Sequence, residues 1–384
     1  MRRAALGLAG LTGLTCLAGI AGGGLGGCSA SGPEASLSAK AQLGALVFSD
    51  PDLSNPSGQA CADCHAAAVA FRDPESDHST SMGVVAGRFG SRNAPSAMYA
   101  RFAPSLHYDA QRGWIGGLFW DGRAGTLEDQ AGFPLLNPLE MNNPDKATVV
   151  EAVREASYAQ RFRDAFGATA LDDIDTGFAH VADALAAFER SRVFAPFSSR
   201  YDRYLAGRAE LTAAERRGLA IFEDPARGNC ASCHPSRPAV DGTPPLFTDF
   251  SYANLGIPRY MNNGFLAQPA WLNPDGDHFI DHGLMTTVGD PAQDGKFRVP
   301  TLRNVARTGP YGHNGYFQNL QYMLDFLATR DGFSDDPAVG AWPGPEIAAT
   351  VDRVHIGHLH LSPADIDDLI AFLTALNDDP APRS

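Results

Sequence analysis

Two short motifs carry the clearest chemistry in the chain: Cys61-Ala62-Asp63-Cys64-His65 and Cys230-Ala231-Ser232-Cys233-His234. In each, two thiols three positions apart on an incipient helical turn can both reach the vinyl groups of a porphyrin. The adjacent histidine then swings under the ring to ligate iron. Each motif therefore reads as a covalent haem c site, with His65 and His234 as the proximal ligands. A zinc site or a thioredoxin-like pair would use the same cysteines. Neither accounts for a histidine after each pair, and no βαβ pattern surrounds them.

The elements that must position these motifs form an internal repeat. Leu37 to Phe48 (LSAKAQLGALVF) aligns without a gap on Leu211 to Phe222 (LTAAERRGLAIF). Each segment starts with Ser or Thr as a helix N-cap and keeps helical apolar spacing. Each leads through a polar Pro/Gly loop to its haem motif. An amphipathic helix closes each half, Val181 to Ser191 in the first and Ile366 to Leu376 in the second. The expected fold is mainly α: two tandem cytochrome c-like domains with long loops, each enclosing one haem, over residues 37–205 and 206–384. Gly332 to Pro345 reads as a surface loop.

The first 36 residues are expected to serve targeting. Arg2 and Arg3 precede an apolar Gly/Ala-rich run that ends in Leu25-Gly26-Gly27-Cys28, similar to a bacterial lipobox. Residues 1–27 then form a lipoprotein signal peptide, Cys28 carries the lipid, and 28–36 are a Ser/Gly/Pro tether. The expected location is the periplasmic side of the envelope, at the outer rather than the inner membrane, with the lipid as sole membrane contact. Cys16 is lost with the leader, so every remaining cysteine has a use other than a disulfide. The formal charge of -14 argues against a nucleic-acid partner and leaves room for a basic protein.

Three further segments are specific. They are Arg92 to Ser96 (RNAPS), Trp114 to Met141 (WIGGLFWDGRAGTLEDQAGFPLLNPLEM) and Phe297 to Gly315 (FRVPTLRNVARTGPYGHNG). They closely resemble the bacterial di-haem cytochrome c peroxidase/MauG family, and the resemblance runs from Leu37 to Leu376. It implies that the N-terminal haem meets peroxide and the C-terminal haem transfers electrons. Glu140 would be the acid/base group, moving a proton between the two peroxide oxygens. Gln130 would orient the peroxide, Pro134 would shape the pocket, and Trp120 would relay electrons or holes between the haems. On residue type alone, Glu140 reads as a surface carboxylate or helix cap and Trp120 as a core residue.

The sequence departs from the family at the sixth ligand of the second haem. Relatives carry Met or Tyr where Leu327 stands, and leucine cannot ligate iron. Met323, one turn earlier on the same face, is one replacement. Tyr322, His355, His358, His360 or an open position are others, and Met323 as a core residue is the plainer reading. The resemblance further implies a Ca²⁺ ion held by the Asn93 side chain and the carbonyls of Thr308 and Pro310. His313 reads as a structural or propionate-contacting residue. His78 and His107 read as loop histidines, with His78 the nearer candidate to cap the peroxide haem.

Three functions follow from the resemblance. One is reduction of hydrogen peroxide with electrons from a small cytochrome c or cupredoxin. The second is peroxide-dependent oxidation of Trp or Tyr in a partner protein, as in MauG and the methanobactin-associated di-haem subgroup. The third is a di-haem electron carrier without catalysis, which leaves Glu140 and Gln130 without a role. A homodimer is a further expectation from relatives.

Overall fold

Side-chain caps set the main helix starts. A computed structural model describes residues 37–75, 78–332 and 341–379. The expected signal peptide, tether and lipidated Cys28, and residues 333–340 of the expected surface loop, lie outside them. The first half contains α1 (Ala39–Phe48), α2 (Cys61–Cys64), α3 (Leu127–Leu136), α4 (Lys146–Glu155), α5 (Ala159–Phe166) and α6 (Ile174–Glu189). There follow α7 (Arg200–Leu205), α8 (Ala213–Glu223), α9 (Leu284–Val288), α10 (Leu320–Thr329) and α11 (Pro363–Thr374). Strands are minor: β1 (His107–Asp109) pairs antiparallel with β2 (Gly113–Ile115), and β3 (Tyr252–Ala253) with β4 (Phe297–Arg298). The fold is thus mainly helical, as expected.

The repeat folds into the same helix pair twice. Ser38 caps α1 by accepting from Ala41 N, and Thr212 caps α8 in a capping box with Glu215. Helix α1 packs on α6, and α8 packs on α11. Gly44 and Gly218 occupy aligned positions in the repeat and lie at these crossings. A Cβ on Gly44 would collide with the carbonyl oxygen of Ala184, and one on Gly218 with that of Asp368. Backbone therefore packs directly on backbone, which only glycine permits.

Two main hydrophobic clusters result. One joins Leu43, Val47 and Phe48 to Val149, Phe162, Val181, Leu185 and Phe194. The other joins Ile221 and Phe222 to Phe247, Leu369, Phe372 and Leu376. Each contains a trio of phenylalanines. Phe48 meets Phe71 and Phe188 with ring centroids 6.2 and 5.5 Å apart; Phe222 meets Phe247 and Phe372 at 6.0 and 5.2 Å. The seam expected near Ala206 falls just after α7, and α7 itself packs into the second cluster through Tyr201.

Buried polar ties join the clusters. Arg303, almost fully buried, forks onto Asp202 at 2.8 and 2.9 Å and lies 4.8 Å from the Tyr99 ring centre. Tyr99 donates to Asp378 at 2.8 Å. Arg92 pairs with Asp121 and Asp281, both at 2.6 Å. No helix among the described residues is long and apolar enough to cross a membrane.

Candidate active site

The two histidines are held identically. His65 Nδ1 lies 3.1 Å from the carbonyl oxygen of Phe71, and His234 Nδ1 lies 2.7 Å from that of Phe247. A carbonyl only accepts, so Nδ1 carries the proton and Nε2 keeps a free lone pair. Burial also pushes both histidines below their usual pKa, which keeps the imidazoles neutral. Both requirements of an iron ligand are met.

The acceptor carbonyls come from core residues that sequence reasoning missed. Phe71 and Phe247 have φ of +54° and +52°, a left-handed conformation that is costly for an aromatic residue. Their rings belong to the phenylalanine trios, so packing holds the strained backbone and aims the carbonyl at the histidine. The aligned Phe48 and Phe222 were visible in the repeat; Phe71 and Phe247 lie in loops, where nothing local marks them.

All four motif thiols are free of disulfides. Burial pushes Cys61 and Cys230 up to about 12 and raises Cys64 and Cys233 as well. A reactive thiolate needs the opposite shift. Buried neutral thiols beside a neutral imidazole fit covalent haem c attachment at both motifs.

Around the first motif the structure brings in carboxylates. Several act on its thiols: after burial, Glu189 raises Cys61 most and Asp73 raises Cys64 most, and Glu140 raises both. Glu140 sits in a tightly bonded turn after α3. Its N–H donates to Asn137 O at 3.0 Å, and its own carbonyl accepts from Val84 N at 2.9 Å. Asn143 ties the turn to the carbonyls of Leu53 and Leu135 at 2.7 and 2.8 Å. The carboxylate accepts from Asn137 Nδ2 at 2.8 Å. Desolvation raises its pKa, opposed by that hydrogen bond and by Arg123. Glu140 is therefore a positioned, desolvated carboxyl rather than a solvated surface charge. Gln130 and Pro134 lie on α3, both half-buried. Pro134 has no N–H to offer the carbonyl of Gln130 one turn back, and its own carbonyl accepts from Met141 N at 3.2 Å. The proline thus links α3 to the turn that carries Glu140.

The second motif opens on a large cavity. Cys230, Cys233 and His234 line it together with Leu320, Met323, Leu324 and Leu327 of α10. Of the expected sixth-ligand candidates, Met323 and His355 face this cavity; Tyr322, His358 and His360 do not line it. Tyr322 packs instead against Trp342 at 4.9 Å. His313 is buried in the cavity wall, stacked on Phe297 at 3.6 Å, with neither ring nitrogen hydrogen-bonded. Trp120 also lines the cavity, and its indole N–H donates to Asn93 O at 2.8 Å. Asn93, Thr308 and Pro310 together line a smaller cavity beside Asp73 and Glu75. His78 is exposed on the same small cavity against Phe89 at 4.8 Å, and His107 lies exposed on β1.

A mainly helical chain with two matched Cys-x-x-Cys-His sites defines a di-haem c-type oxidoreductase. The chain belongs to the di-haem cytochrome c peroxidase/MauG family, whose profile, described as di-haem cytochrome c peroxidase, matches residues 38–210. It is 40% identical to the methylamine utilization protein MauG of Paracoccus denitrificans over 88% of this chain and 89% of that one. Among solved structures, the diheme peroxidase BthA from Burkholderia thailandensis superposes with a TM-score of 0.75. Its identity is 36%, over 88% of this chain and 86% of that one. A MauG-like protein associated with microbial copper homeostasis gives 0.65 at 32% identity, over 90% and 91%.

Proposed function

We propose that the chain reduces hydrogen peroxide at the haem attached through Cys61 and Cys64, with electrons entering through the haem attached through Cys230 and Cys233. Each hydrophobic cluster with its motif is then one cytochrome c domain. The observation that carries this reading is Glu140, a carboxyl with a raised pKa, fixed beside the first pair of cysteines and supported by Asn137. When bound, the first haem supplies the iron that takes up peroxide. Glu140 accepts a proton from the near oxygen and returns it to the departing one, and Gln130 orients the peroxide by hydrogen bonding. Trp120, in the wall of the second cavity, relays charge between the two centres.

The deciding experiment mixes the diferric protein with one equivalent of peroxide and follows the haem absorbance. Wild type reacts rapidly and Glu140→Gln far more slowly; equal rates would overturn the assignment.

A second reading, oxidation of Trp or Tyr in a partner protein, is favoured by Leu327. The residue at the family's Met or Tyr ligand position has no donor atom, which changes the electron-transfer haem itself. Rapid turnover with reduced cytochrome c or cupredoxin supports the peroxidase; acceleration only by a partner protein supports the second reading. Met323 is the proposed sixth ligand, with His355 in the same cavity wall as the alternative donor. We further assign Ca²⁺ to the small cavity of Asn93, Thr308 and Pro310, where Asp73 and Glu75 add negative charge. Export by residues 1–27 and anchoring through Cys28 place the enzyme in the periplasm, where the charge of -14 favours a basic donor.

A further inference from the structure

Arg298 is a cation without a counterion in the wall of the second cavity. It lines that cavity together with Cys230, Cys233 and His234. Its Nε donates to Phe119 O at 3.2 Å. Among the described residues it has no ion pair, and burial depresses its pKa without bringing it within reach of deprotonation. Other buried arginines are treated differently: Arg92 pairs with Asp121 and Asp281, and Arg303 with Asp202. None of the carboxylates in the cavity wall is ion-paired with Arg298. Asp281 is taken by Arg92, Asp352 by His355 at 2.8 Å, and Glu346 lies 3.8 Å from His313. A half-buried guanidinium facing a cavity with no anion is costly, so an anion from outside the chain should complete it.

The cavity itself points to that anion's chemistry. The α10 side, with Leu320, Leu324 and Leu327, is apolar and suits a porphyrin face, while Arg298 and His313 bring polar groups to the wall. A porphyrin carries carboxylates on one edge only. The planar guanidinium fork matches a carboxylate bidentately. Arg298 is also tied to the relay segment: its backbone N–H donates to Trp120 O at 2.8 Å, and its side chain bonds the preceding residue, Phe119.

We propose that Arg298 binds a propionate carboxylate of the second haem and clamps that edge of the ring to the Trp120 segment. The proposal rests on haem attachment at Cys230 and Cys233, and its test separates the two. Full-length holoprotein is prepared as wild type, Arg298→Gln and Arg298→Lys, with haem content measured for each. Wild type lacking haem at the second motif would refute the attachment reading itself. With both haems present, Arg298→Gln should shift a propionate bending band in the resonance Raman spectrum. It should also lower one of the two midpoint potentials, because a lost positive charge favours ferric iron, and leave the other in place. Arg298→Lys, which keeps the charge but loses the fork, should shift the same band while retaining most of the potential. Unchanged bands and potentials in Arg298→Gln would overturn the proposal. Should that variant fail to retain haem, the Lys variant decides: a shifted band supports the clamp, and a wild-type band overturns it.

Discussion

The two halves of the molecule share a proximal side and differ in what faces it. In both, an opening helix crosses a closing helix at a glycine, a phenylalanine trio fills the crossing, and the trio's loop member fixes a histidine through its carbonyl. Beyond that the halves part. The first places the buried-side carboxyl of Glu140 beside its cysteines. The second offers leucines and Met323 from α10, with Arg298 in the same wall. Duplication thus preserved the scaffold that presents iron ligands, while the loops and helices added to each half set separate tasks.

The sharpest way to break this comparison is to remove Glu140. Glu140→Gln should slow the reaction with peroxide by about 10²–10⁴-fold, the range of general acid–base catalysis. Stopped-flow absorbance reads this, and the second haem's spectrum should stay as it is. The rate should also rise with pH through a midpoint above the ordinary glutamate value, since Glu140 must lose its proton to act as acceptor and its pKa is raised. A midpoint at or below that value would contradict the desolvated placement.

Next in size is a buried carboxyl peculiar to the first half. Glu189, where the second half has Leu373, is buried and pushed up to about 8 by desolvation. The folded protein therefore holds a proton that the unfolded chain has already released. Stability should fall as pH rises from the ordinary glutamate value to about 8, by roughly 3–5 kcal/mol, and level off above. Glu189→Gln should flatten that slope, as measured by urea unfolding across pH.

The shared scaffold predicts matched losses. Gly44→Ala and Gly218→Ala should each destabilise by about 1–3 kcal/mol, because the new methyl meets backbone rather than a movable side chain. Unfolding midpoints that fall in one variant and not the other would break the equivalence of the two crossings. The smallest effects belong to the ion pairs at those crossings that have a solvent-exposed cation, Lys40 with Asp183 and Arg217 with Asp368, each at 2.6 Å. Alanine at Lys40 or Arg217 should cost no more than about 1 kcal/mol, and less at high salt.

Much of this was legible beforehand where chemistry is local. The haem motifs, the capped helices of the repeat and the helical class follow from spacing and side-chain type. The Trp114 to Met141 segment marked Glu140 through family likeness, and the fold supplied its physical setting: a turn bonded at Asn137 and Asn143 that a local reading of residue types assigned to the surface. Phe71 and Phe247 had no sequence signal, and Arg298 lay in a marked segment with nothing to show its own role, because these roles lie in a carbonyl direction or a missing counterion.

The amino-acid order alone marked the two Cys-x-x-Cys-His motifs and where the paired helices begin and end, since those depend on neighbours a few positions apart. Only the tertiary structure decided which carbonyl holds each histidine, which carboxyl faces which motif and which cation lacks a partner. Those outcomes depend on burial and on contacts between distant segments, and desolvation has no value until the chain is packed.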